Sequence, residues 1–156
     1  MNWTAIGSVA TAIAVIVAVL QLHAAAKVSR TSFEDALARE YREIARELPM
    51  KALLNEELEN DDFQLALPRF FQYLDLSNQQ VFLRANGRIG RITWREWCEG
   101  IRFNLSRTAF RAAWEHLKER DSKTFNELRR LEQERFELDP RSWMPWVKRL
   151  KSWWAH

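Results

Sequence analysis

The first 26 residues contain no Asp, Glu, Lys or Arg, whereas all 24 Lys and Arg and all 21 Asp and Glu follow Ala26. Residues 1–22 lack any ionisable side chain, and residues 13–20 are continuously apolar. A chain divided in this way does not suit a single soluble globule, because its N-terminal piece needs an apolar environment that the charged remainder is too wet to supply. A helix rises about 1.5 Å per residue, so about 20 such residues match the hydrocarbon core of a bilayer. We therefore expect a transmembrane helix over about residues 4–25. Thr4, Ser8 and Thr11 can return their hydroxyls to the backbone of their own helix. Trp3 suits one membrane interface, and His23, Lys27 and Arg30 suit the other.

A cleaved signal peptide is the competing reading, since Ala24, Ala25 and Ala26 offer the small residues a peptidase needs. Against it, Met1-Asn2-Trp3 supplies no basic flank, and the apolar run exceeds the usual ~7–15 residues. Cations set the expected orientation: none precedes the span, and Lys27, Arg30, Arg39, Arg42 and Arg46 follow it closely. The positive-inside bias then places the N-terminus outside and the charged domain in the cytoplasm. Unpaired Cys98, the one cysteine of the chain, agrees with a reducing compartment. Within the span, Gly7 and Thr11, and Ala10, Ala14 and Ala18, stand four residues apart, the spacing that lets two helices approach closely in lipid and form a homo-oligomer. Chance rows of small residues in an alanine-rich span are the plainer explanation.

Four Gly and four Pro leave little turn material for a β fold. After the span, Ser32 with Asp35 predicts a helix start, and Phe33, Leu37, Tyr41, Ile44, Ala45 and Leu48 recur at three- and four-residue steps. Pro49 ends that helix or opens the next, which carries Leu53, Leu54 and Leu58; the acidic residues 56–62 then predict an exposed break. Pro68 predicts the first turn of a helix reaching Ala85 and stopping at Asn86-Gly87, with a hairpin at that dipeptide as the weaker alternative. Thr93 and Glu96 form a capping-box pattern for a helix to Leu105, with Trp94, Trp97, Cys98, Ile101 and Leu105 on one face. Residues 108–119 follow as a helix, and Asp121 or Ser122 caps another bearing Phe125, Leu128, Leu131, Arg135 and Phe136. The fold class expected is all-α: one transmembrane helix, a cytoplasmic bundle of five or six helices, and a C-terminal amphipathic helix. The corresponding divisions are residues 1–30, 31–138 and 139–156.

The C-terminal segment, after Asp139-Pro140, holds half of the eight tryptophans. Trp143, Trp146, Val147, Leu150, Trp153 and Trp154 share one helical face, and Lys148, Arg149 and Lys151 take the other. A basic helix with Trp on its apolar side is the pattern of an interfacial membrane helix drawn to anionic inner-leaflet lipid. Packing into the domain core is the alternative for the same residues.

No cofactor, metal or catalytic constellation emerges. His23, His116 and His156 are scattered, Cys98 reads as a buried small hydrophobe, and no phosphate-binding glycine loop or nucleophile elbow occurs. Arg84, Arg88, Arg91 and Arg95 form a cluster able to hold an anionic ligand, with a solvated loop as the plainer reading and nucleic acid disfavoured at a net charge of +3. Tyr41, Arg42, Asp75, Asn78, Trp94 and Trp97 are candidates for the organising polar and aromatic contacts.

The runs EYREIARELP (residues 40–49), FFQYLDLSNQQVFL (70–83), the pattern around Trp94, Trp97, Gly100 and Ile101, and AFRAAW (109–114) resemble a family of short bacterial proteins of unknown function, membrane-anchored through one N-terminal span and carrying a cytoplasmic helical domain. The resemblance covers about residues 33–117. It implies a bacterial inner-membrane setting and brings no catalytic residues with it. The function expected is that of a single-pass, membrane-anchored binding, scaffold or regulatory module without catalysis, with the lipid bilayer and a cytosolic protein as partners. The alternatives are a membrane-perturbing effector acting through oligomerised spans and the Trp-rich helix, and a membrane tether binding nucleic acid through its arginines.

Overall fold

The computed structural model describes residues 3–121 and 123–143, with side chains from Val15 onward. Six α-helices and one 3-10 turn make up the regular structure: α1 Trp3–Glu47, α2 Met50–Leu53, α3 Asn60–Ala85, α4 Arg91–Ser106, α5 Thr108–Arg120, α6 Asn126–Gln133 and the turn Pro140–Trp143. Among the described residues the chain is all-α, and the hairpin alternative at Asn86-Gly87 does not form. Contacts divide the chain into two units, Met1–Phe33 and Glu34–His156.

The first unit is helical from Trp3. Its described apolar side chains, from Val15 through Leu22 to Val28, are exposed. Among the described residues no helix is long and apolar enough to cross a membrane. The expected span of residues 4–25 starts ahead of the first described side chain, so the side chains of Trp3, Gly7, Ala10, Thr11 and Ala14 lie outside the described residues; Ala18 is exposed. The helix start expected at Ser32 is not used. No Gly or Pro separates Gly7 from Pro49, and the Thr31 hydroxyl donates back to the Lys27 carbonyl at 3.1 Å, so α1 continues to Glu47.

In the second unit α3 is the central helix, packing against α5, α6 and the 3-10 turn, while α4 packs on α5. The core is aromatic. Phe70 and Tyr73 of α3 meet Phe110 of α5 edge-on at 5.0 and 5.1 Å, and Trp114 meets Phe125 at 5.8 Å. From α1, Leu37 and Ile44 are buried, as is Leu48 just after its end.

Three expected boundaries shift. The acidic stretch is no break at its end: α3 begins at Asn60, and Asp61 and Asp62 occupy its first turn, where the helix dipole favours negative charge. Pro68 therefore lies inside α3, a position that costs about 3 kcal/mol or more. Phe63, in the turns before it, packs against Phe70 at 6.0 Å and His116 at 6.4 Å, and these contacts help to hold the helix through the proline. Thr93-Glu96 does not cap α4, which starts three residues earlier, after Gly90. The cap expected from Asp121 or Ser122 is also displaced. Asp121 accepts from the Lys123 amide at 2.8 Å, and α6 starts after left-handed Phe125, with Asn78 of α3 accepting the Leu128 amide at 3.0 Å. Arg135 and Phe136, expected on that helix, follow its end in the left-handed region.

The stop at Asn86-Gly87 forms as a Schellman closure. Gly87, at φ 75°, donates to the Arg84 carbonyl, and Arg88 donates to the Leu83 carbonyl, both at 2.9 Å. Residues 139–143 lie in the second unit and carry the 3-10 turn. Trp143 is half-buried there, its indole N–H donating to Glu134 Oε2 at 2.6 Å under the Arg130 guanidinium. The remaining expected interface residues, Trp146, Lys148, Arg149, Leu150, Lys151, Trp153 and Trp154, lie outside the described residues.

Candidate functional site

Arg84 does not belong to an anion-binding loop. It is 5% exposed, and its guanidinium donates to both carboxylate oxygens of Asp139, at 2.9 and 2.5 Å, and to the Ile89 carbonyl at 2.8 Å. That arrangement fixes the segment 136–139 against α3. Burial pushes the Asp139 carboxyl up, but the Arg84 hydrogen bonds and charge, with the Arg141 amide, outweigh it and hold the carboxyl below its usual range.

The start of α4 is positioned from α1. Glu34 accepts the Gly90 amide at 2.6 Å and the Thr93 hydroxyl at 2.7 Å, so a carboxylate from another helix does the work expected of Glu96. With α4 held there and residues 136–139 held by Arg84, a groove of about 560 Å³ opens between them. Arg91, Arg95, Cys98, Glu99 and Arg102 line it from α4, and Phe136, Glu137, Leu138 and the Arg84-paired Asp139 line it from the opposite side. Steps of four, seven and eleven residues put Arg91, Arg95, Cys98 and Arg102 on one face of a helix. Arg91, Arg95 and Arg102 are exposed, and none forms an ion pair among the described residues. Cys98 is half-buried, and burial pushes its thiol up to about 11, with the Arg102 charge acting in the opposite direction. The thiol is therefore protonated near neutral pH, and it presents the groove with a weak donor and an apolar sulfur.

Of the four arginines singled out in the sequence, the structure brings Arg91 and Arg95 together, withdraws Arg84, and leaves Arg88 exposed outside the groove lining. Arg102 was missed, although its spacing from Arg91 and Arg95 was the available signal. The other candidates separate by role. Trp94 is buried, Asp75 is exposed, and Asn78 caps α6. Tyr41, Arg42 and Trp97 meet at a second cleft, of about 300 Å³, with Gln80 and Asn104, which the sequence did not mark. Among the described residues no three His, Cys, Asp or Glu side chains gather as metal ligands.

Fold and groove together define an all-α domain with an arginine-lined face. No family model, curated protein or solved structure matches this chain.

Proposed function

We propose that this protein is a single-pass, inner-membrane-anchored helical binding module whose cytoplasmic domain takes an anionic, phosphate-bearing ligand in the α4 groove. The observation that carries the reading is the division of charge: 26 residues without Asp, Glu, Lys or Arg, then a domain holding every one of them. The hydropathy of residues 4–25 supports the anchor, and the cations after Ala26 support the N-out orientation. Arg91, Arg95 and Arg102, without ion pairs among the described residues, outnumber the two carboxylates of the groove not held by Arg84, Glu99 and Glu137, and their guanidinium forks match phosphate geometry. A protonated Cys98 favours recognition over nucleophilic chemistry in that groove.

Two measurements test the reading. A C-terminal tag on the full chain should stay in the membrane fraction and resist protease in intact spheroplasts; release or digestion overturns the N-out anchor. The full chain in nanodiscs of uncharged lipid should bind inorganic pyrophosphate with an affinity that falls as salt rises. Replacing Arg91, Arg95 and Arg102 by Ala should weaken that binding by about tenfold or more. Unchanged binding in the triple variant removes the groove from the proposal.

A further inference from the structure

The second cleft lies on the face of α4 opposite the arginines, between α1, α3 and α4, and the groove reading does not explain it. Its distinguishing residue is Gln80. This side chain lines the cleft, is 5% exposed, and has no hydrogen-bond partner for its amide among the described residues. The Gln80 amide is not among the sealed-off polar groups of the fold: it reaches the surface of the cleft, where a ligand can replace water as its partner.

Neighbouring polar groups are already committed. Arg107 donates to Asn104 Oδ1 at 3.0 Å, and Asn104 Nδ2 donates to the Tyr73 hydroxyl at 3.0 Å. This relay fixes Asn104 and Tyr73 beside Gln80 and leaves the glutamine amide facing the cleft with a donor and an acceptor side by side. The walls are flat and aromatic: Tyr41, tilted against Tyr73 at 6.1 Å, and half-buried Trp97. Gly100 lines the cleft at its open side, and a Cβ built there meets nothing within 4 Å, so a longer side chain could extend into the space. Arg42 and Glu96 bring opposite charges to the lining, so the cleft has no strong preference for a charged ligand.

We propose that this cleft binds a small planar heterocycle whose edge carries an adjacent donor and acceptor, a nucleobase or nucleoside, through paired hydrogen bonds to Gln80 with its ring against Tyr41 and Trp97. An amide offers this pairing to a base edge, and aromatic side chains stack on any base face. An apolar ligand would leave Gln80 unpaired. The volume is at the small end of ligand pockets, which suits one base with its sugar.

The test is calorimetric titration of the purified full chain in mild detergent with adenosine, guanosine, cytidine and uridine in turn, with phenylalanine as a zwitterionic control. At least one nucleoside should bind saturably, one per chain. Gln80→Leu should weaken that binding about tenfold or more, with the helical circular dichroism spectrum retained. Gly100→Met should abolish binding by filling the cleft, and Gly100→Ala keeps the fold as the control. Replacing Arg91 and Arg95 by Ala should leave nucleoside binding intact, which separates this site from the groove. The proposal is overturned if no nucleoside binds at millimolar concentration, if only phenylalanine binds, or if Gln80→Leu binds normally.

Discussion

Arg84 joins α3, the Ile89 carbonyl and Asp139 through one guanidinium, and its place could not be read from its neighbours in the chain. In sequence it is one of four arginines within a short stretch; in the structure the others are exposed and it is buried. The partner that decides this lies 55 residues away. Removing the carboxylate strands a buried cation, so Asp139→Ala should cost about 3–5 kcal/mol in chemical denaturation. The same pair sets an acid limit. A carboxyl whose folded pKa is depressed contributes stability that is fully present above its unfolded pKa and is lost as pH falls through the lower folded value. Melting temperature should therefore fall on acidification below about pH 4, and this component of the fall should be absent in Asp139→Asn.

Element boundaries show where local signals suffice and where they fail. Asn86-Gly87 ends α3 as the sequence indicates, because a left-handed closure is a local property that glycine meets without strain. The end of α6 has the same hydrogen bonds, Arg135 to the Glu132 carbonyl at 2.9 Å and Phe136 to the Leu131 carbonyl at 3.0 Å, but without a glycine. Arg135 sits at φ 56°, where an L-residue is strained by about 1–2 kcal/mol. Arg135→Gly should relieve part of that strain and stabilise the domain by up to about 1 kcal/mol, read as a higher denaturation midpoint. The capping box at Thr93-Glu96 fails for the complementary reason. Glu34, 56 residues from Gly90 in the chain, is a better-placed carboxylate than the local one, and it takes both the Gly90 amide and the Thr93 hydroxyl. Similarly, Asn78 supplies the α6 cap that Asp121 and Ser122 were expected to give.

At the scale of the whole molecule, the charge division dominates the proposed behaviour. A span needs about 20 apolar residues, and placing cations near its centre costs several kcal/mol by insertion scales. Replacing Ile16 and Val17 together by Arg should therefore move the full chain out of the carbonate-resistant membrane fraction; retention there would refute the anchor. All-helical character, the aromatic core and the apolar N-terminal segment were legible from composition and three- and four-residue periodicity, since each follows from short-range geometry and the transfer of side chains out of water. The two recessed sites were not. Periodicity places Arg91, Arg95 and Arg102 on one face of α4, yet only the packing of residues 136–139 turns that face into a groove. Gln80 lies in an ordinary polar stretch of α3, and its place in a cleft arises where α1, α3 and α4 converge. Helix content and its apolar faces depend on neighbours a few residues apart, so the chain itself determined them. Which polar groups are paired, buried or left facing a cleft depends on residues 50 or more positions apart, and only the tertiary structure decided that.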